Sequence, residues 1–507
     1  MAQELKSINL VAPGFKGINT EDAPLAQDPS FAEVADNAVI DKRGRVAARK
    51  GLSVVTTTKT ELGSAKIRAI KEYRDDAGNT KIFSTGNNKI LSGETTLADE
   101  TPGSYTISAD EWKMVNFNDN IYFFQRAHEP LVYNNTSGSV VKLSTVSGAA
   151  GVAAAMYGNE VLSAYGRLWT ADFATDKSTV YWSDLLIGHD WSGGTSGSIN
   201  ISKVWPDGHD EIVALAAHNN LLIIFGKRSI VVYAGADAPA TMALQDTVAG
   251  VGCVGRDTVQ YTGTDVLFLS QTGLRSFGRT IQEKSMPITS LSSTITKDII
   301  QLINETGELY KSVYFPEENF YLITFSNQDL TYCFDTKGTL ENGAYRVTRW
   351  PGTGFTAYER KDNGTLLIGG AHGLGNYSGY QDNGSSYPFK YFSPELSFGD
   401  PSKLKFLKKI RPTIVGGSGL DILFKWDYDF GSAYNAAFIT LSSQATAEFG
   451  VDEFNIGQFS SGILTSKQAI NANGSGGTLS IGLETAINGG ELSLQEINIL
   501  ALVGKTI

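Results

Sequence analysis

The feature that most narrows what this chain can become is a short unit between Glu211 and Tyr233. It reads as an apolar strand at Ile212–Leu215, a turn at His218-Asn219-Asn220 and a strongly apolar strand at Leu221–Phe225. A second turn at Gly226-Lys227-Arg228 and a β-branched strand at Ile230–Tyr233 complete it. Asn and Gly tolerate the left-handed dihedrals of tight hairpins. Branched and aromatic residues between the turns suit a pleated surface. Comparable three-strand meanders run from Ile67 to Leu91, Trp112 to Tyr133, Val161 to Trp182, Thr258 to Phe277, Lys311 to Phe334 and Phe355 to Tyr377.

The starts lie roughly 44 to 53 residues apart, the period of a propeller blade, and most linkers leave room for a fourth strand. Second strands such as Leu221–Phe225 and Val266–Leu269 are apolar on both faces, where a half-buried strand would alternate. A blade stacked between two others buries both faces, and radial closure protects the sheet edges. The expected fold is all-β: a β-propeller of about seven blades over residues 61–388, an N-terminal extended arm with a hairpin over 1–60, and a C-terminal β-sandwich-like domain over 389–507. A string of β-sandwich domains is the plainer alternative. Closure of the ring can borrow a strand from elsewhere in the chain.

Within the arm, Ala38–Ile40 and Arg45–Lys50 flank a turn at Asp41-Lys42-Arg43-Gly44. One long helix is expected, Leu291–Asn304, with Ile295, Ile299 and Ile303 on one face and Ser292 or Ser293 as N-cap. Residues 378–388 are rich in Gly, Ser, Asn and Asp and read as a linker. Beyond it, Lys403–Val415 and Leu420–Tyr428 alternate as strands, and Thr478–Leu483 and Ile497–Val503 continue the β texture.

Composition bounds the function. The formal net charge of −11 argues against a coat that holds nucleic acid by positive charge. Cys253 and Cys333 supply no disulfide framework, which points to synthesis in a reducing compartment. The opening Met1–Lys6 has no basic region followed by an apolar stretch, so no secretion signal is expected. No apolar run approaches the roughly 18 residues of a membrane-spanning helix.

Few motifs carry chemistry. Gly250-Val251-Gly252-Cys253-Val254-Gly255 fits the dinucleotide-binding glycine pattern, but a strand follows it rather than a helix, so it reads as a close backbone passage at a blade edge. The five histidines are scattered over different units. His209-Asp210-Glu211 holds metal-ligand types, yet carboxylates beside a turn are usually just solvated; no metal, cofactor or catalytic residue is assigned. The strongest charge pattern is Lys403, Lys405, Lys409 and Arg411 on one side of a strand, opposite Leu404, Phe406, Ile410 and Ile414. Together with Lys42, Arg43 and Arg45 of the hairpin, these are the candidate interface or channel charges. The bland reading of each set is a solvated face, where lysines discourage wrong pairing at an edge.

The order of these stretches resembles the tail nozzle proteins of short-tailed bacteriophages, also called tail tubular or DNA-stabilisation proteins. Gly14–Thr20 through Arg49-Lys50-Gly51 is similar to their opening, and Tyr181-Trp182-Ser183-Asp184 followed by Asp190-Trp191-Ser192 to their middle. Glu211–Tyr233, Gly250–Gly255, Val266–Phe277 and the helix follow in the same order, and Leu404–Tyr428 and Leu494–Val503 resemble their terminal β domain. The resemblance implies a structural virion protein rather than an enzyme. It would be made in the bacterial host cytoplasm and incorporated in the virion tail as a homohexameric ring below the portal and adaptor. It would line the lower DNA-ejection channel, touch the phage double-stranded DNA transiently, and dock tail fibres or spikes and a plug or needle. The alternative from another class is a receptor-binding or carbohydrate-active β-propeller.

Overall fold

The computed structural model describes residues 4–11, 14–283, 290–431, 433–441, 465–466 and 468–506; Met1–Gln3, read above for a leader, lie outside them. The meanders form as expected and for local reasons. Asn219 and Asn220 both take positive φ (48° and 62°), as do Asn118 and Asp119 (48° and 61°) at the corresponding turn of another unit. Short polar side chains are the L-residues that tolerate this region best.

Six sheets stand alone as blades, five four-stranded and one three-stranded. In chain order their first strands are Ala69–Arg74, Lys113–Phe117, Glu160–Ala164, Ile212–His218, Gln260–Tyr261 and Ala357–Arg360. We refer to them as blades one to six. Blade six takes its outer strand from the other end of the sequence: Leu52–Val54 pairs antiparallel with Gly373–Tyr377. A strand is thus borrowed to close the ring. The apolar second strands are sealed between neighbours, and Leu222, Ile223, Ile224 and Phe225 have no exposed surface. Burying each such side chain is worth about 1.5–3 kcal/mol.

The count of self-contained blades is one fewer than the seven meanders, because the unit starting at Lys311 is not a sheet of its own. Its four strands, Tyr310–Phe315, Phe320–Phe325, Leu330–Thr339 and Tyr345–Pro351, are the beginning of a nine-stranded sheet. The arm strand Val34–Asp36 lies parallel to the last of these, Asp36 opposite Arg349, and antiparallel to Tyr387–Phe392 on its other side. It therefore turns what would be a blade's outer edge into the middle of a sheet. Leu479–Ile487, Asp421–Tyr428 and Asn435–Thr440 continue that sheet. The sheet runs across the boundary expected at 388.

A second sheet packs against this one. Its spine is Lys403–Gly416 paired with Leu492–Thr506, flanked by Glu4–Leu10 and the arm hairpin Ala38–Ile40/Val46–Ala48. One continuous core contains Phe15, Ile18, Tyr391, Ile410, Phe424, Ile497 and, from the bridging sheet, Tyr321 and Phe334. The arm strands are therefore shared among the terminal sheets and blade six.

The helix is shorter than expected, Thr296–Ile303, and its N-cap position is Ile295. Neither serine caps it: Ser292 Oγ accepts from Leu274 N at 3.0 Å instead, a tertiary bond that ends the local choice. A second helix, Phe277–Glu283, follows the three-stranded blade where only a strand end was expected.

Candidate interface charges and the propeller axis

Alternation puts Lys403, Lys405, Lys409 and Arg411 on one face only if the strand is regular. It is not: the pairing with Leu492–Thr506 shifts register between Lys403 and Lys405, between Leu407 and Lys409, and between Thr413 and Ile414. A bulge adds a residue and flips the parity of everything after it. Lys405, Leu407, Ile410 and Ile414 consequently share the buried side, whereas Lys409 and Arg411 are exposed. The four cations do not form one stripe. Lys405 is 1 % exposed and gives its ammonium hydrogens to the Gly477 carbonyl at 2.6 Å and to the Asp400 carbonyl. Its burial lowers its pKa, partly opposed by Asp400 and Asp429. Lys403 pairs with Asp400 at 3.4 Å.

The hairpin cations also divide. Arg45 Nε donates to Asp41 Oδ2 at 2.6 Å, and Asp41 Oδ1 accepts from the backbone of Arg43 and Arg45, so Arg45 is spent on its own turn. Lys42 and Arg43 point to solvent and make no ion pair among the described residues. The hairpin is pinned from behind by Lys337 Nζ, which donates to the carbonyls of Ile40 and Asp41 at 2.8 and 2.9 Å. It forms one wall of a cleft of about 570 Å³, whose other walls come from the bridging sheet, blade six and Leu492-Ser493.

Arg49, the next base after the hairpin, is 1 % exposed. It donates to both oxygens of Asp382 (2.9 and 2.6 Å) and to Asn37 Oδ1 (2.8 Å), and lies 4.2 Å from the centre of the Tyr387 ring. A guanidinium suits this site because its planar fork serves several acceptors and a ring at once. The clamp ties the arm to the linker after blade six.

Sequence reading missed the charges at the axis, because their partners lie on different blades. First strands of successive blades lie against one another in a closed circuit, with Arg256–Thr258 and Tyr310–Phe315 completing it between blades four and six. Lys113, Asp257 and Lys311 line the cavity at its centre, and Glu160, Arg256 and Glu111 lie within ion-pair distance of them. Lys311 reaches Asp257 at 2.6 Å and Glu111 at 2.7 Å; Arg256 lies 3.2 Å from Asp257; Lys113 lies 3.6 Å from Glu160. Burial works against the Asp257 charge, but Arg256, Lys311 and Lys113 outweigh it and hold its carboxyl well below the usual carboxylate range. Burial pushes Glu160 up to about 7 against the pull of Lys113 and Arg256, and its Oε2 has no hydrogen-bond partner. A second pair, Lys71–Glu359 at 2.8 Å, lines the same axial cavity of about 530 Å³. The two carboxylates that line this cavity, Asp257 and Glu359, each have a lysine within 2.8 Å.

The other sequence motifs have structural work. Asp210 accepts the backbone N–H groups of Glu211, Lys227 and Arg228, and Glu211 pairs with Lys227 at 2.8 Å. Gly252 passes so close to the Lys227–Arg228 backbone that a Cβ there would lie 2.3 Å from Arg228 N. Among the described residues no group of three or more His, Cys, Asp or Glu side chains is arranged to hold a metal ion, and no helix is long and apolar enough to cross a membrane.

No protein-family model and no curated protein matches the chain. Solved structures match the chain at low identity and low TM-score. PorZ, a surface component of the type-IX secretion system of Porphyromonas gingivalis, is 13 % identical, with a TM-score of 0.37 over 62 % of this chain and 37 % of that one. An extracellular domain from B. thetaiotaomicron is 10 % identical, with a TM-score of 0.40 over 78 % and 48 % of the two chains. The Pan2 WD40 domain of Neurospora crassa is 9 % identical, with a TM-score of 0.36 over 65 % and 94 %. The chain spans less than half the length of the first two.

Proposed function

We propose that this chain is a tail nozzle protein of a short-tailed bacteriophage, a structural wall block of the lower DNA-ejection channel that assembles as a ring of six. The observation that carries the reading is the sheet that runs without a break from the propeller into the terminal domain, with the arm strand Val34–Asp36 at its junction. A hinge between propeller and terminal domain would have to break that ladder. A rigid two-part block is what a wall under passing DNA needs. In this reading the meander Tyr310–Pro351 serves as the seventh wall of the ring, between blades five and six, although its sheet continues outward.

The propeller axis, where paired charges surround a cavity of about 530 Å³, is not the conduit in this reading; the conduit is the space enclosed by the copies. A duplex carries one negative charge per about 1.7 Å of axis, so a cation-coated lumen would hold it. A net charge of −11 fits a wall that lets DNA slide past. Lys409 and Arg411, exposed on the outer face of their strand, are then available to an acidic neighbour or to the end of the packaged genome, and adaptor, fibres and plug would contact other faces.

The test is negative-stain imaging of the purified protein alone and mixed with adaptor rings of a short-tailed phage. Six-fold rings that cap the adaptor are expected. A monomer that ignores adaptor rings yet binds or cleaves an arrayed glycan would sink this proposal in favour of the carbohydrate-active propeller.

A further inference from the structure

Three consecutive apolar residues stand in solvent on blade three. Leu185, Leu186 and Ile187 are 49 %, 57 % and 38 % exposed, separated from the strand Thr179–Trp182 only by Ser183 and Asp184. They are held there firmly. Asp184 Oδ1 accepts from Leu185 N, Thr195 N and Thr195 Oγ1, each at 2.8 Å. Leu186 N donates to Gly166 O at 2.8 Å, and Asn118 Nδ2 of blade two donates to Leu186 O at 2.6 Å. Leu186 takes φ of 59°, a conformation that leucine disfavours and that persists only where its surroundings impose it. Gly166 lacks the Cβ that would sit 3.0 Å from Leu185 Cδ1. The molecule thus holds a disfavoured backbone with several hydrogen bonds in order to present leucines outward.

A receptor of matching character lies across the ring. The cleft behind the arm hairpin is lined at depth by Val39, Phe315, Phe320, Leu366 and Tyr377, with a volume of about 570 Å³. Most charges on its rim are already paired: Lys50 with Glu318 at 2.5 Å, Arg360 with Glu317 at 2.6 Å, and Lys337 with the Ile40 and Asp41 carbonyls. Lys42 and Arg43 remain exposed. Beside the apolar tip, the Asp190 carbonyl accepts from Asp184 N, and Asp119 adjoins Asn118, which holds Leu186. Asp184 lies 4.0 Å from Arg167, but Asp119 and Asp190 make no ion pair among the described residues, so the open acids beside the tip and the open cations of the cleft are complementary in sign. Counted around the closed circuit, the junction between the bridging sheet and blade six is as far from blade three one way as the other. Tip and cleft therefore lie on opposite sides of the axis.

We infer that the Leu185–Ile187 tip of one copy seats in the hairpin cleft of the next copy, so that copies join head to tail. A contact between two different patches closes into a ring when its rotation permits, which a face-to-face contact does not do. This rests on the reading of the chain as a wall block of a ring, and it names the surfaces that would build that ring.

Cysteine pairs test it, because Cys253 and Cys333 are buried and will not interfere. The full chain carrying Leu186→Cys and Lys42→Cys, mildly oxidised and run without reductant, should give a ladder of covalent oligomers, while each single variant stays monomeric. Absence of the ladder, or a dimer from Leu186→Cys alone, would overturn the head-to-tail contact. In parallel, the double variant Leu185→Asp/Leu186→Asp should lower the oligomer fraction by about tenfold or more. The control Leu244→Asp, an equally exposed leucine on blade four, should leave it unchanged. If the Asp variant still forms rings on the adaptor, this interface is wrong and the nozzle reading survives. If the wild type never rings but the cysteine ladder forms, the contact stands and the nozzle reading falls. Neither rings nor ladder would remove both.

Discussion

Basic side chains gather at the propeller axis and at the arm hairpin, and the two places use them in opposite ways. At the axis Lys311 and Arg256 share Asp257, and Lys113 faces Glu160. At the hairpin Lys42 and Arg43 stand in solvent, while their neighbour Arg45 is consumed by Asp41. Buried charges have partners brought from other blades and serve the fold; taking one partner away leaves the other stranded in a poor solvent. Exposed cations without a partner cost the fold nothing and are available to another molecule. Position relative to water, rather than density of charge, separates scaffold from contact surface.

That contrast can be broken at its strong end first. Asp257→Ala should leave Arg256 without its carboxylate and Lys311 with Glu111 alone, and cost about 3 kcal/mol, read as a lower urea midpoint. A loss below about 0.5 kcal/mol would mean that the axis is hydrated well enough to do without its acid. The pH profile sharpens the same point. With the Glu160 carboxyl raised to about 7, the folded chain keeps a proton that the unfolded chain releases above about pH 4.5. Stability should therefore fall as pH rises between those values, by on the order of 3 kcal/mol in all. Asp257 runs the other way: its depressed carboxyl stabilises the fold above about pH 3.9, and this is lost only as pH falls below that, outside this window. Glu160→Gln should flatten the fall in midpoints measured from pH 5 to 7.5. An unchanged slope would place the titration on another buried acid, such as Glu359, whose carboxyl burial also raises despite Lys71.

A smaller effect separates residues of a single strand. Lys405→Ala should cost about 1–3 kcal/mol, since the carbonyls of Gly477 and Asp400 lose their donor. Lys409→Ser and Arg411→Ser should stay within about 0.5 kcal/mol. Equal losses for all three would restore the single stripe expected from alternation. Least of all, Lys42→Ser with Arg43→Ser should leave thermal unfolding within about 0.5 kcal/mol of wild type while weakening association between copies, measured by sedimentation at low and high salt.

What could be read from residues alone follows the range of the forces. Turns built on Asn118-Asp119 and Asn219-Asn220, and strands such as Leu221–Phe225, are local matters, and the meanders were legible in them. The bulges that bury Lys405 were not, because they arise from the pairing with Leu492–Thr506, nearly a hundred residues away in the chain by rough count. The same holds for Val34–Asp36: nothing in its three residues says that it will fuse a blade to the terminal sheet. Ser292 was a fair cap by type and was taken by Leu274 instead. The axial cluster was invisible for the plainest reason, since Glu111, Glu160, Asp257 and Lys311 meet only once the ring has closed.

Strand Leu52–Val54 completes a sheet whose other members end at Tyr377, and Glu4–Leu10 pairs with a strand that runs to Thr506. A ribosome delivers the first of these partners long before the second. The opening segment must wait, unpaired and open to proteases or chaperones, until Ile497–Val503 has been made. Subunits cut or stopped before Leu492–Thr506 would leave Glu4–Leu10 and Lys403–Gly416 without their partner, so only copies that carry all of these strands would have the shape to be built into anything larger.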